Sequence, residues 1–483
     1  MKKLNVAVMS LLATAAFTFN SCSTDDALTP GSGTSNQEAS YLMSLSLKSS
    51  DKSVVSNAKG TRTAQQTDKE NGTADESTIT NGTIYLYDGG TCVFSKDLGT
   101  SDWEANAAPN AIGTTKPIKV SINSVSTNKE YQVYFVANSS KATIPAPMAT
   151  NLQLTASTIG GADYARPSQF VMFNQNDETR QANHSSVIFT EASKDVDHKV
   201  TAGDIYLDRV VARVDAPTVN DPIIKNKEGV TTTKNINVIE SVTYDGYTLT
   251  NMANKSYLMQ NWTESDNVWS LNIPGQMSYY KPNSYYGTKW LGNHLEDFTN
   301  NDVNYIFENT TSSEADATGM YYKFTVKLTE EANANADFTD GTFYRYNHKI
   351  YTSLQAIMDD PEEPWPFTDT EGNEIKVEDA VKMIKGEVEG VTLASVREKY
   401  HINVYEAGAV YYKYNINDKF YAPTGYYSIL RNSVYKLTVN NIWDLGKDVP
   451  NGPNPDDEKY NYWMDVTVTV NPWVLNTIDV DLK

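Results

Sequence analysis

WMDVTVTVNPWVLNTIDVDLK, residues 463–483, decides how the rest of the chain is read. Met464, Val466, Val468 and Val470 alternate with Asp465, Thr467 and Thr469, and after Asn471-Pro472 the alternation resumes with Ile478, Val480 and Leu482 against Thr477, Asp479 and Asp481. A period of two is the pattern of a strand with one apolar face, so the spacing predicts two strands separated by a break at Asn471-Pro472. Termini ordinarily fray, but this one carries an apolar row that only a partner sheet can cover.

The other end of the chain repeats the pattern. Tyr41, Met43, Leu45 and Leu47 lie on one face with Ser44 and Ser46 between them, so residues 41–47 read as a strand as well. The two ends share one binary pattern and either could complete the same sheet edge, which makes them competitors for one slot. Before residue 41 comes a targeting segment: Lys2 and Lys3, an apolar run over 4–19 too short to span a bilayer as a permanent helix, then Asn20-Ser21-Cys22 and a polar tether. From Lys48 to Asp75 the chain is polar again, with Arg62 in its middle. An arginine on such an accessible loop is a trypsin-like cleavage site.

Between the ends the chain reads as β. Tyrosine is abundant (31 of 483 residues), and Val and Thr recur, the types that half-buried pleated surfaces select. Turn signals at Asn81-Gly82 and Asp88-Gly89-Gly90 bracket a strand, residues 131–137 form another, and Asp215-Ala216-Pro217 opens a polar boundary. Residues 354–358 and 377–385 alone carry helical spacing. The expected fold is all-β: two tandem β-sandwich domains, 63–214 and 215–483, with a small helical insertion in the second. A net charge of −20 sets the chain against nucleic acid and anionic lipid. No glycine-rich phosphate loop, Gly-x-Ser-x-Gly elbow or His-Glu-x-x-His is present, and the five histidines lack metal-ligand spacing, so no catalytic residue, metal or cofactor is expected. Cys92, in an apolar strand pattern, reads as an inert buried thiol. Tyr279, Tyr280, Tyr285, Tyr286 and Trp290 fit either a sugar-stacking platform or aromatic cover on a sheet.

Ser21-Cys22 after its apolar run resembles the lipobox of bacterial lipoproteins. With the strand at 41–47, Arg62, the run Asp208-Arg209-Val210-Val211-Ala212-Arg213-Val214, the run Arg431-Asn432-Ser433-Val434-Tyr435-Lys436-Leu437 and the ending through Pro472-Trp473, the chain resembles the fimbrillin family, the shaft subunits of type V pili, and within it the minor-fimbria kind. The resemblance implies transthyretin-like sandwiches and an outer-membrane lipoprotein precursor. It implies a signal peptide at 1–21, lipidation of Cys22, and a propeptide at 22–62 removed by an arginine-specific protease between Arg62 and Thr63. The displaced strand would carry Tyr41, Met43, Leu45 and Leu47, and the donor strand, within 463–483, would carry Trp473, Ile478, Val480 and Leu482 into the next subunit. Implied partners are other copies in a head-to-tail filament, accessory, anchor and tip subunits, the protease, and host or bacterial surface receptors. The implied mature location is a cell-surface fimbrium serving adhesion and biofilm formation. A surface glycan-binding lipoprotein and a tip or accessory subunit are the alternative readings.

Overall fold

The computed structural model describes residues 39–49, 69–105, 112–138, 158–160, 164–176, 185–253, 255–265, 268–274, 279–280, 303–418, 425–449 and 464–474. Strands dominate it, as the β-branched and aromatic composition requires. A first sheet grows from the hairpin Gly82–Asp88 and Thr91–Leu98, closed at Gly89-Gly90, where Gly89 takes a φ of +57° that a side chain would strain. Across it follow Glu130–Ala137, Met172–Asn174, Ile205–Arg209, Ser46–Ser49 and Gly113–Thr114. A smaller sheet of Val200–Thr201, Ser40–Ser44 and Ile118–Ser121 shares its core, in which Met43, Leu47, Leu86, Val120, Phe135 and Leu207 are buried together. Cys92 is half-buried in Thr91–Leu98 and its thiol donates to Phe94 O at 3.5 Å.

At Val210, which is still buried in this core, the chain leaves the first sheet. Ile205–Arg209 lies in the first sheet, whereas Val211–Val214 pairs in parallel with Ser433–Ile442 and antiparallel with Asn304–Phe307 in another. That sheet runs Asn304–Phe307, Val211–Val214, Ser433–Ile442, Met464–Val474, Glu70–Asn71, and shares a second core with the three-stranded sheet Ile239–Thr250, Gly319–Leu328, Ala409–Asn415. Glu70–Asn71 and Val211–Val214 therefore both pair with carboxy-terminal strands.

The carboxy-terminal stretch differs from its expected form. Met464–Val474 is one strand, with no break at Asn471-Pro472. The reason is the side of the ladder on which the proline falls. Trp473 N–H donates to Asn432 O at 3.1 Å, so Ser433 and Pro472 face each other as a non-hydrogen-bonded pair, and the missing Pro472 N–H points away from Ser433–Ile442.

Helices cluster at 354–400. Leu354–Met358 is capped by Ser353 Oγ accepting from Ala356 N, and Val377–Ile384 starts with Glu378 and Asp379, whose charge favours a helix amino end. A third helix, Leu393–Tyr400, begins at a capping box between Thr392 and Ser395. The three enclose a separate core around Leu354, Ile357, Phe367, Val396 and Tyr400.

Candidate functional site

Two arrangements bear on what the chain does: how its amino end is seated, and how its carboxy-terminal strand is rooted. Tyr41, Met43, Leu45 and Leu47 are buried, at 5%, 0%, 0% and 0% exposure. They do not form a single strand. Ser40–Ser44 is the middle strand of the small sheet, between Ile118–Ser121 and Val200–Thr201, while Ser46–Ser49 lies in the large sheet between Gly113–Thr114 and Ile205–Arg209. At the step between sheets, Leu45 N–H donates to Thr115 Oγ1 (2.9 Å) and Leu45 O accepts from Thr115 N (3.2 Å), so both backbone groups of Leu45 are satisfied. Tyr41 anchors the start, its ring 5.6 Å from that of Phe189 and its hydroxyl donating to Glu191 at 3.2 Å. Burial of the four side chains is worth roughly 6–12 kcal/mol before ladder bonds are counted. Removing residues 40–49 would open both sheets at once.

The root of the carboxy-terminal strand is a buried polar knot. Arg209, fully buried, donates from Nε to Glu76 O (2.8 Å), from Nη1 to Trp473 O (2.9 Å) and Asn432 Oδ1 (3.3 Å), and from Nη2 to Ser77 Oγ (3.3 Å). Its guanidinium lies 3.9 Å from the centre of the Trp473 ring, which stacks on Tyr305 at 5.8 Å and meets Phe170 edge-on at 5.8 Å. Burial pulls the Arg209 pKa down to about 9, still above neutrality, and Glu76, Tyr305 and Asp208 oppose the fall, so the side chain stays charged. Asn432, at a φ of +53° that asparagine tolerates, receives Arg209 and donates from Nδ2 to Asp208 Oδ1 at 3.0 Å. Glu76 closes the knot: it accepts from Tyr305 (2.7 Å) and Arg213 (3.3 Å) and caps its own short helix through Thr73. Burial first, and then Glu76, hold the Tyr305 phenol well above its ordinary pKa. The two arginine-containing runs, Asp208–Val214 and Arg431–Leu437, thus meet around Trp473.

Beside the knot, Glu70–Asn71 runs parallel to Trp473-Val474, held by a Glu70–Lys436 ion pair at 2.7 Å and by Asn471 Nδ2 at 3.5 Å. Burial alone would raise the Glu70 carboxyl, but the hydrogen bond and charge of Lys436 outweigh it and hold the pKa below its usual value. Lys436→Met is expected to cost only about 0.2–1 kcal/mol at neutral pH, because the lysine is partly solvated. With the folded pKa depressed, this contribution is present above the unfolded glutamate pKa and is lost as pH falls through the folded one. Melting curves of parent and variant should therefore converge in acid. An offset that stays constant from about pH 7 to about pH 3 would assign the effect to packing instead.

Cys22, Arg62, Thr63, Ile478, Val480 and Leu482 lie outside the described residues, as do Tyr285, Tyr286 and Trp290. Trp473, expected in the donor, is buried in this chain, where its ring and its carbonyl both meet Arg209. Sequence reading passed over Glu70 and Glu76. The pattern Thr73-x-x-Glu76 was the available signal for the second; a two-residue strand offers none for the first. Among the described residues no group of three or more His, Cys, Asp or Glu is placed to hold a metal ion.

The class of protein to which this fold belongs is given by comparison with known proteins. The model of the major fimbrial subunit protein (FimA) matches residues 43–209, and that of the fimbrillin C-terminal region, major fimbrial subunit protein type IV, matches residues 403–479. The chain belongs to the fimbrillin family. Among solved structures it is similar to a fimbrilin (fimA) from Porphyromonas gingivalis W83, at 13% identity over 90% of this chain and 98% of that one, with a TM-score of 0.42. It is also similar to the tip fimbrial protein Mfa3 from Porphyromonas gingivalis with C-terminal truncation (12% identity, 90% and 100% covered, TM-score 0.35). A third is a fimbrial assembly protein from Parabacteroides distasonis ATCC 8503 (15% identity, 60% and 82% covered, TM-score 0.31). No curated protein matches the chain. Its place is the cell-surface pilus, among other fimbrial subunits and assembly proteins.

Proposed function

We infer that this chain is a shaft subunit assembled by strand exchange. It is exported as a lipoprotein acylated at Cys22, cut between Arg62 and Thr63 by an arginine-specific protease, and stripped of residues 40–49. Residues beyond Val474 of another copy then enter the vacated slot. The observation that carries this reading is the seating of residues 40–49. They are sandwiched between neighbours in two sheets and bury an apolar row, yet they lie on the far side of Arg62 from the rest of the fold. Strand addition supplies the ladder and the pockets again. Because donor and acceptor are different surfaces, the contact propagates head to tail into a filament that serves adhesion and biofilm formation.

Arg62→Ala is the test. While the chain is uncut its own strand competes as a tethered ligand, at an effective concentration on the order of millimolar, against any donor in trans. The variant should remain a folded monomer under conditions in which the parent, treated with an arginine-specific protease, forms detergent-resistant polymer. Efficient polymer from Arg62→Ala would remove proteolysis at this site from the mechanism.

A further inference from the structure

The apolar row at 41–47 does not by itself fix the register of its strand. A slip by two residues turns no apolar side chain away from the core, and along Ser44-Leu45-Ser46-Leu47 it lays serine on serine and leucine on leucine. The polar partners there discriminate little. Thr201 Oγ1, 3.1 Å from Ser44 Oγ, would meet Ser46 as readily, and Thr115 Oγ1 receives a backbone N–H that any of these residues carries. Tyr41 alone differs in kind from the Ala39 or Met43 that a slip would put in its place. Its surroundings match that difference. Phe189 gives it a wall, with ring centres 5.6 Å apart; Lys194 Nζ lies 5.4 Å from its ring centre; Glu191 accepts from its hydroxyl at 3.2 Å. Glu191 and Lys194 stand on one short helical turn, Glu191–Lys194, and are paired at 2.7 Å. Buried Ser193 closes that turn, accepting from Thr190 N at 3.2 Å and donating to Thr190 O at 2.6 Å. Residues 189–194 thus supply wall, cation and acceptor together, independently of the strand they hold.

We propose that Phe189, Glu191 and Lys194 form a pocket selective for a tyrosine side chain, which decides which strand, and in which register, lies between Ile118–Ser121 and Val200–Thr201. The register of this chain's own strand follows from the geometry above; the choice between strands of different molecules rests on the strand-exchange reading. A phenol brings a hydroxyl donor for the carboxylate and a π face for the ammonium, whereas an aliphatic side chain brings neither. The hydrogen bond from Lys194, and then that from Tyr41, hold the Glu191 carboxyl below its usual pKa, so it is ready to accept at neutral pH. A strand that offers tyrosine at this place is therefore favoured over one that offers alternation alone.

Disulfide trapping in the full, uncut chain reads the register. Leu42 stands opposite Lys119, and residues so placed have Cα atoms about 4.5–5.5 Å apart, within reach of a disulfide. Combined with Lys119→Cys, Leu42→Cys should form the bond on mild oxidation, while Ser40→Cys and Ser44→Cys, which report slips of two residues, should form about tenfold less. Mapping by mass spectrometry keeps these bonds apart from any made by Cys22 or Cys92. Tyr41→Leu keeps an apolar residue but should raise one slipped bond to the yield of the in-register bond, and Glu191→Leu should do so with Tyr41 in place. Unchanged yields in either variant overturn the proposal. So does the loss of all three bonds, which would make Tyr41 a general anchor. The choice between strands is read on the protease-processed full chain: a peptide of residues 39–49 should halt polymerisation at about a tenfold lower concentration than its Tyr41→Leu form. Equal potency overturns the selectivity. If neither peptide acts, strand exchange falls and the choice between strands with it, while the register result stands on its own.

Discussion

A chain ended after Val474 is expected to fold and not to polymerise, whereas one ended after Pro472 is expected to give no stable subunit. The two differ by Trp473 and Val474. Trp473 has no exposed surface and its ring lies between Arg209, Tyr305 and Phe170. Removing so large a buried ring costs about 3–5 kcal/mol through lost transfer energy and the cavity left behind. The same cut takes away the carbonyl that receives Arg209, and a buried cation that loses an acceptor costs roughly 1.5–3 kcal/mol more. Together these approach the whole stability of an ordinary domain, about 5–15 kcal/mol. Thermal melts of the two truncated chains, with gels in hot detergent to score polymer, read both halves of the expectation. A chain ended after Pro472 that melts with the parent would mean that the knot around Trp473 carries little weight.

Arg209→Leu should be the most damaging single substitution at the junction, lowering stability by about 3–5 kcal/mol in urea titrations. Leucine removes the charge but leaves Glu76 O, Trp473 O and Asn432 Oδ1 buried without the donor they share. Arg209→Lys should recover little, because one ammonium cannot reproduce a planar fork that reaches four acceptors and lies against an indole. If the lysine variant unfolds at the parent's midpoint, positive charge alone suffices and the fork geometry is incidental. The contrast with Lys436→Met, partly solvated and expected to cost a fraction as much, separates burial from charge as the source of the effect.

The strand at 464–470 and the helices at 354–358 and 377–384 could be read from periodicity because each has one face in a core and one towards water, and the row at 41–47 because its apolar residues alternate with small polar ones. What escaped the reading has particular causes. The apolar-polar alternation of the sequence runs unbroken through Leu45, although Ser44 and Ser46 are buried as well, so it hides the step from one sheet to the other, where Leu45 N–H donates to Thr115 Oγ1. Pro472 looked like a break because a sequence does not say which side of a ladder a residue's nitrogen faces. Glu70–Asn71 is too short to have a period. The helix Leu393–Tyr400 was signalled only by Thr392 and Ser395, without a regular apolar stripe. Arg209 stood in a run that pointed to the family, yet its role depends on Asn432 and Trp473, more than two hundred residues away.

The long antiparallel pairing of Met464–Val474 with Ser433–Ile442 has a mechanical consequence. In a filament joined as proposed, flow would pull on each subunit through residue 475, along the axis of the strand that precedes it. Force in that direction loads every rung from Pro472 opposite Ser433 to Met464 opposite Ile442 together, in shear, instead of peeling them apart one at a time. Just inside Val474 the load would reach Trp473, whose carbonyl accepts from Arg209, and Arg209 ends the strand that pairs with Ser46–Ser49. Tension entering at the tail of such a filament would thus arrive at the sheet in which Ser46–Ser49 is seated.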